Sequence, residues 1–97
     1  MVRKIIWSKR ATSNLASLTE YLNQNWSENL AKQFVQRTFE LVELLSKQPN
    51  IGPYQNSEKK IRGILISKHN RLFYRTSSNK IIILSIFDTR SNPKKQI

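Results

Sequence analysis

The sequence predicts an α+β domain in which a helical hairpin packs on one face of a mainly antiparallel, twisted sheet, in the order β-α-α-β-β-β. Three observations lead to this prediction. Apolar residues recur at helical spacing in two long segments between residues 8 and 47. Segments rich in β-branched and aromatic residues follow from residue 60 onward, separated by short polar turns. One more such segment precedes the first helix.

The first two elements are a strand and a helix. The segment from Val2 to Trp7 is rich in β-branched and aromatic residues, which favours a strand. Ser8 then has the side chain of a typical helix N-cap. An apolar stripe at helical spacing follows it, made of Ala11, Leu15, Leu18 and Leu22. The stripe predicts an amphipathic helix of about four turns that ends near residues 23–25.

The second helix begins after a short connection. Ser27 is a suitable N-cap, and the Glu28 carboxylate lies at the positive end of the helix dipole. A wide apolar stripe follows, made of Ala31, Phe34, Val35, Thr38, Leu41, Val42 and Leu45. Pro49, Gly52 and Pro53 end this helix. Because the connection between the two helices is short, they should form an antiparallel hairpin.

Three strands are predicted after a polar loop around Tyr54 to Glu58. They cover Lys60 to Ile66, Arg71 to Thr76 and Lys80 to Phe87. Their links are short and turn-like, so the strands should form an antiparallel meander. The last strand is apolar on both alternating faces, which is typical of a central strand that is covered on both sides.

The composition limits the class of protein. A chain of 97 residues is expected to form a single domain, residues 1–97, with one modest core. It has no cysteine and one histidine, His69, so we expect no disulfide, no protein-bound metal and no cofactor. The N-terminus is too polar for a signal peptide, and no run approaches the roughly 18 apolar residues of a membrane span. We therefore expect a cytoplasmic protein with no membrane partner.

Positive charge is concentrated in the C-terminal part of the chain. The net charge is +11, and Asp88 is the one acidic residue after Glu58. The cations that this part offers to a target or a phosphate are Lys59, Lys60, Arg62, Arg71, Arg75, Arg90, Lys94 and Lys95, the last three in a basic tail at about residues 88–97. So localised a charge favours a polyanionic partner. A solvated face that promotes solubility is the alternative.

Strand alternation divides the second strand of the meander into two faces. Arg71, Phe73 and Arg75 share one face, whereas Leu72 and Tyr74 share the other. The second of these faces suits the helices, so the arginines should point away from them. Guanidinium groups bind phosphate in a planar fork and stabilise a phosphoryl transition state, but they also bind carboxylates. The arginines alone therefore leave catalysis and simple binding open.

The register of the meander decides whether further groups join these arginines. If Ile66 pairs with Arg71 across the turn, Arg62 lies opposite Arg75 on the same outer face.

His69 has the chemistry of a general acid or base, but a position in a turn indicates an exposed loop residue. There is no paired carboxylate, phosphate-binding glycine loop, nucleophile elbow or metal-ligand spacing.

The chain resembles the RelE/ParE superfamily of bacterial toxins from type II toxin-antitoxin modules. The resemblance spans almost the whole chain in the family's order. It is carried by Ile5-Ile6-Trp7-Ser8 with Ala11 and Leu15, by Leu45 with Pro49-Asn50-Ile51-Gly52, by Ile61-Arg62, by Asn70-Arg71-Leu72-Phe73-Tyr74-Arg75, and by Ile82 to Asp88. It implies the β-α-α-β-β-β fold and a small basic toxin that is neutralised by the extended C-terminal part of an antitoxin, with oligomers formed through that antitoxin.

The resemblance also implies two classes of target. Members similar to RelE are ribosome-dependent mRNA endonucleases, and members similar to ParE poison gyrase. Arg71 matches the arginine that the ribonucleases use on the scissile phosphate. The last strand of ribonuclease members often ends in a tyrosine or histidine that acts as acid or base, but the matching stretch from Phe87 to Arg90 contains neither. The loop from Pro49 to Gly52 is also more similar to ParE.

We therefore predict a ParE-like toxin that inhibits growth by acting on an essential macromolecule, and gyrase is one target that the resemblance offers. One alternative is an mRNA endonuclease that uses Arg62, Arg71, Arg75 and Arg90 on ribosome-bound mRNA. Another is a nontoxic basic binding module. The antitoxin is expected to present an acidic and apolar segment to Ile64, Phe73 and Leu84, which we expect the sheet to expose beside its positive charges.

Overall fold

The computed structural model describes residues 2–90, and Lys94 and Lys95 of the predicted basic tail lie outside them. Two helices and five strands follow one another along this part of the chain. Their bounds are β1 Lys4–Trp7, α1 Lys9–Asn25, α2 Glu28–Lys47, β2 Tyr54–Asn56, β3 Ile61–Ser67, β4 Asn70–Thr76 and β5 Lys80–Asp88. No helix among the described residues combines the length and the apolar character that a membrane crossing requires.

All five strands belong to one sheet, in the order β1-β5-β4-β3-β2. The β1 strand runs parallel to β5, and the other neighbouring pairs are antiparallel. The core lies between the sheet and the hairpin, where Phe34 and Val42 of α2 meet Leu72, Tyr74 and Ile83 of the sheet. The predicted α+β class, with a helical hairpin on one face of a mainly antiparallel sheet, is confirmed.

Two serine caps begin the helices where the sequence predicts them. The Ser8 Oγ accepts a hydrogen bond of 3.0 Å from the Ala11 N–H, and the Ser27 Oγ accepts one of 3.0 Å from the Leu30 N–H. Ser8 also donates its hydroxyl proton to the Leu84 carbonyl at 2.9 Å. The first cap therefore satisfies a free N–H at the helix start and ties that start to β5.

The β2 strand is an addition to the prediction, because the segment from Tyr54 to Glu58 was expected to be a loop. Tyr54 pairs with Arg62, and the register shifts before Asn56. The Gly63 N–H donates to the Pro53 carbonyl at 3.0 Å. A three-residue edge strand with an irregular register has no alternating apolar pattern, so composition alone does not reveal it.

The β5 strand is an interior strand, as its sequence predicts, with β1 on one side and β4 on the other, but helices cover only one of its faces among residues 2–90. It contains a bulge, since Phe73 pairs with Ser85 whereas the next residue, Tyr74, pairs with Ile83. Leu84 is the extra residue. The bulge keeps Ile83 and Ile86 in the core under the hairpin. The strand also continues through Asp88, one residue beyond its predicted end.

Tyr74 connects the sheet to the loop that follows α2. Its side chain is fully buried, and its hydroxyl donates to the Pro49 carbonyl at 2.8 Å and accepts from the Gly52 N–H at 3.0 Å. Burial raises the pKa of the phenol above its ordinary value, although the bond from Gly52 and the Arg62 charge act in the opposite direction. The neutral hydroxyl therefore satisfies two backbone groups inside the protein.

We predict that Tyr74→Phe lowers the free energy of unfolding by about 1–3 kcal/mol, because it leaves the Pro49 carbonyl and the Gly52 N–H without their partner. Denaturant unfolding followed by circular dichroism measures this change. Tyr54→Phe is the matched control, since Tyr54 is half exposed, and it should change stability by no more than about 0.5 kcal/mol. Equal effects of the two substitutions would contradict the role assigned to Tyr74.

Candidate functional site

The sheet face opposite the hairpin, called here the outer face, has a closely packed centre. Gly63 of β3, Phe73 of β4 and Ser85 of β5 form one cross-strand row. Phe73 is 2% exposed and Ser85 is 3% exposed, although no second layer of helices or strands covers this face among residues 2–90. The neighbouring outer-face side chains must therefore cover the row themselves.

Arg71 and Arg75 lie on either side of this row. Arg71 pairs with Leu65 on β3 and with Phe87 on β5. Its Nη1 lies 3.5 Å from the Gln55 Oε1, so the side chain extends towards β2. Arg75 is exposed on the same face of β4. The prediction that both arginines point away from the helices is confirmed.

Arg10 is a third guanidinium on this face, and the sequence analysis did not single it out. Its guanidinium carbon lies 4.7 Å from the centre of the Phe87 ring, the side chain that is paired with Arg71. The α1 helix lies along β5 beyond the end of β1, and this position brings Arg10 to the outer face beside Phe87. The Ser8 N–H donates to Ile83 at 3.0 Å, and the Asn14 Oδ1 accepts from the Ile86 N–H at 3.0 Å.

We call Arg10, Arg71 and Arg75 the arginine face. The phenyl rings of Phe73 and Phe87, whose centres are 6.5 Å apart, form an apolar base between the charges. A cation over an aromatic ring is attracted to the ring's quadrupole, which favours the position of Arg10. The arrangement presents guanidinium donors around a flat apolar centre.

Gly63 makes room for the aliphatic part of Arg71. A Cβ atom at this position would lie 2.7 Å from the Gln55 Cγ, 3.1 Å from the Arg71 Cδ and 3.3 Å from the Phe73 Cδ1. The first distance is shorter than real Cβ contacts allow, so a side chain here would displace Gln55 and crowd Arg71. A glycine inside a strand pattern often marks such a close approach, and this signal was available in the sequence.

Arg62 does not belong to the arginine face, and the predicted pairing with Arg75 is wrong. The observed register pairs Arg62 with Tyr74, one residue away from the predicted partner. A shift of one residue turns a side chain to the other face of a sheet. Arg62 instead donates to the Gly52 carbonyl at 2.8 Å and the Asn50 carbonyl at 3.2 Å, with its guanidinium carbon 4.1 Å from the Tyr54 ring centre.

The three apolar residues that we expected to find exposed beside the charges do not form one surface. Ile64 packs against the core beneath the hairpin, and Phe73 is buried at the centre of the outer face. Leu84 is partly buried in the β5 bulge. The expected exposure is therefore wrong for Ile64 and Phe73. The register turns Ile64 towards the hairpin, and neighbouring side chains cover Phe73 on the outer face.

An exposed apolar surface lies instead at the open side of β3. Leu65 is 47% exposed, and Leu44 of α2 is 41% exposed. With Arg37, Glu40, Leu41 and Ile66 they line a shallow cleft of about 240 Å³. The β2 strand pairs with Ile61 and Arg62 alone, so the rest of β3 has no strand beside it on this side among the described residues.

The remaining predicted cations lie around the sheet. Lys59 and Lys60 are exposed in the turn before β3, and Lys60 has a positive φ of 56°. Arg90 follows β5 and donates to the Asp88 carboxylate through Nε at 3.0 Å and Nη2 at 2.7 Å. The hydrogen bonds from Arg90 lower the pKa of Asp88 to about 2. This pair holds the end of the described chain against the end of β5.

The outer face holds no side chain that is an ordinary general acid or base. Its strand residues are Lys4, Ile6, Ile61, Gly63, Leu65, Arg71, Phe73, Arg75, Lys80, Ile82, Ser85 and Phe87. They include no carboxylate, histidine or tyrosine, and Arg10 and Gln55 add none. His69 lies in the β3–β4 turn, where it lines a cleft beside Tyr21 and Trp26 of the hairpin.

The family model described as the ParE toxin of the type II toxin-antitoxin system parDE matches residues 5–93. No curated protein sequence matches the chain. Among solved structures, the chain is similar to a protein of a chromosomal ParDE system from P. aeruginosa, with a TM-score of 0.77 at 19% identity, over 92% of this chain and 98% of that one.

Two other solved structures have the same fold. The YoeB dimer from Staphylococcus aureus gives a TM-score of 0.64 at 22% identity, over 90% of this chain and 97% of that one. The toxin-antitoxin complex RelBE2 from Mycobacterium tuberculosis gives a TM-score of 0.61 at 16% identity, over 91% of this chain and 99% of that one. At these identities, the structures show a shared fold.

We predict that Arg90→Ala raises the pKa of Asp88 from about 2 towards its ordinary value near 4. Because the folded pKa is lowered, the pair stabilises the fold above about pH 4, and this contribution is lost as the pH falls towards 2. An NMR titration of the Asp88 carboxyl carbon measures the shift. Lys32→Ala, which breaks the exposed pair with Glu28, should leave the Asp88 titration unchanged. An unchanged pKa in Arg90→Ala would contradict the assigned cause.

Proposed function

The chain belongs to the ParE toxin family of type II toxin-antitoxin systems, whose model spans residues 5–93, and from this premise we propose that it inhibits growth by binding gyrase through the arginine face. The observation that carries the proposal is the clustering of Arg10, Arg71 and Arg75 around Phe73 and Phe87, on a face without a general acid or base. The face therefore has the chemistry of a binding surface.

The chemistry of RNA cleavage supports this choice. One group must take a proton from the attacking 2′-hydroxyl and another must protonate the leaving oxygen, each typically contributing about 100-fold or more. Arginine stays protonated at neutral pH and is a poor base. Besides its arginines, the described outer face carries the cations Lys4 and Lys80 at the exposed ends of β1 and β5, and it offers no carboxylate, histidine or tyrosine for either role.

Electrostatics explains why such a face prefers an anionic surface. Three like charges on a small sheet repel one another, and they favour a partner whose phosphates or carboxylates lie between them. The partly exposed ring of Phe87 adds contact area that salt does not screen. A surface of a gyrase–DNA complex offers both kinds of contact.

A ribosome-dependent mRNA endonuclease is the second candidate function. The observation in its favour is the position of Arg71 on the outer face, with its Nη1 3.5 Å from the Gln55 Oε1, because this arginine matches the one that the family's ribonucleases use. The ribosome would then have to supply the missing acid and base. The two candidates predict different damage in the cell.

We propose that the cognate antitoxin of this toxin covers the open side of β3. Leu44 and Leu65 are exposed there, next to the cation Arg37. An extended segment with apolar and acidic side chains would pair its backbone with β3 and place its carboxylates near the cation. The solved structures similar to this chain include the toxin-antitoxin complex RelBE2, and we propose that oligomers of this chain form through its antitoxin.

We predict that Arg71→Ala abolishes growth inhibition on induced expression, because it removes the central guanidinium of the arginine face. The folded state should lose only about 0.5–1 kcal/mol, since the side chain is partly exposed. Arg37→Ala is the matched control, an exposed arginine on α2, and it should stay toxic. Full toxicity of Arg71→Ala at equal expression would contradict the assignment.

The target is tested by mapping damage after induction of the wild-type protein. Gyrase poisoning produces DNA breaks and inhibits supercoiling by purified gyrase, and both effects should be absent with Arg71→Ala. Cuts in ribosome-bound mRNA that vanish in Arg71→Ala, without DNA breaks, would overturn the gyrase proposal and establish the endonuclease.

We predict that Gly63→Ala also reduces toxicity, although it leaves every charge in place. The new methyl group would displace Gln55 and crowd Arg71, and overpacking of this kind costs about 1–3 kcal/mol of stability. Gln55→Ala removes the Cγ atom nearest the new methyl group, so the double variant should recover part of the toxicity. Growth assays measure the toxicity of Gly63→Ala and of the double variant, and thermal melts measure their stability. A folded Gly63→Ala protein with full toxicity would show that the position of Arg71 is unimportant.

A further inference from the structure

A second surface with binding chemistry lies at the tip of the helical hairpin. A cleft of about 430 Å³ separates the end of α1 from the β3–β4 turn and the end of β5. Leu18, Tyr21, Leu22 and Trp26 line one side, and the other side carries the cations Lys68 and Arg90 together with Ser67, His69, Asn70 and Asp88. We call it the hairpin-tip cleft. Its volume is within the roughly 300–1,000 Å³ of typical ligand pockets.

We propose that the hairpin-tip cleft binds a segment of single-stranded nucleic acid, with a base stacked on Trp26 or Tyr21 and the adjoining phosphates beside Lys68 and Arg90. This goes beyond the proposed function, because the cleft shares no residue with the arginine face and its ligand need not be the toxin's target.

The aromatic side chains are the first argument. Trp26 is 68% exposed and Tyr21 is 55% exposed, and the two rings lie together on one side of the cleft. The other tryptophan, Trp7, is partly buried and packs on Phe39 with ring centres 5.7 Å apart. The hairpin tip therefore leaves two large aromatic surfaces in contact with water, whereas Trp7 has an aromatic partner.

The backbone beneath Trp26 is held firmly. The N–H groups of Trp26 and Ser27 both donate to the Leu22 carbonyl at 3.0 Å, and the Ser27 side chain caps α2. A ring on such a backbone loses little conformational freedom when it binds a ligand. The apolar side chains of Leu18 and Leu22 line the cleft beside it.

Hydrogen bonds hold the opposite side of the cleft, where Arg90 pairs with Asp88 and Lys68 adds a further positive charge. The Ser67 hydroxyl bonds to the Asn70 Oδ1 at 3.0 Å, and the Thr89 N–H donates to the His69 carbonyl at 2.7 Å. These bonds tie the β3–β4 turn to the end of β5. Lys68 is exposed there, and Arg90 keeps guanidinium N–H donors beyond those it gives to Asp88.

This combination matches the way proteins bind unpaired nucleic acid. Base stacking on exposed aromatic rings supplies affinity with little sequence preference, and nearby cations follow the phosphates. An acidic peptide would use the cations but would leave the broad aromatic faces without a flat partner. The net charge of +11 further concentrates polyanions around the chain.

The test measures the affinity of the purified full-length protein for a fluorescein-labelled octauridylate and octathymidylate by anisotropy. Stacking on one base contributes enough that Trp26→Ala should weaken binding roughly 5- to 150-fold. Its melting temperature should stay unchanged because the ring is exposed. Lys68→Ala should weaken binding less and reduce the dependence on salt. Tyr54→Ala, which removes a half-exposed aromatic ring elsewhere, should bind like the wild type.

A second readout separates this cleft from the arginine face. Binding at the cleft should quench tryptophan fluorescence, and Arg71→Ala should keep that quenching. The proposal is overturned if Trp26→Ala binds as tightly as the wild type, if binding is lost in Arg71→Ala but kept in Trp26→Ala, or if an acidic peptide competes as well as the oligonucleotides. Loss of toxicity in Arg71→Ala with binding intact would support both sites independently.

Discussion

The register of β4 against its two neighbours is the constraint on which the rest of the structure depends. Tyr74 reaches Pro49 and Gly52 from the hairpin side of the sheet, and its two hydrogen bonds hold it there. Because side chains alternate along a strand, this position turns Phe73 and Arg75 to the outer face. A slip of one residue would place guanidinium groups under the helices, where burying a charge without a partner is costly.

The charges of the chain are separated by the fold. Three glutamates lie on α2, and two of them pair with lysines one turn away, Lys32 with Glu28 and Lys47 with Glu43. Asp88 is held by Arg90 at the end of β5. The strand residues of the outer face include no carboxylate among residues 2–90, so the fold concentrates positive charge on this side of the sheet.

The α1 helix connects the two surfaces on which the functional proposals rest. At its start, Ser8 and Asn14 attach it to β5 and bring Arg10 to the outer face. At its end, Tyr21 and Trp26 project beside the β3–β4 turn. This helix of 17 residues thus carries Arg10 near its start and Tyr21 near its end, with Trp26 as its C-cap, so the two surfaces share an element but no side chain.

The sequence by itself determined the elements that depend on local patterns: both helices with their serine caps, the central β5 strand, and the outward position of Arg71 and Arg75. Tertiary structure decided the rest. The short β2 strand, the inward turn of Arg62 and Ile64, the burial of Phe73 and the arrival of Arg10 all depend on which residues face each other across the sheet. Register and the β5 bulge arise from contacts between distant parts of the chain, and period-two alternation allows either face until those contacts select one.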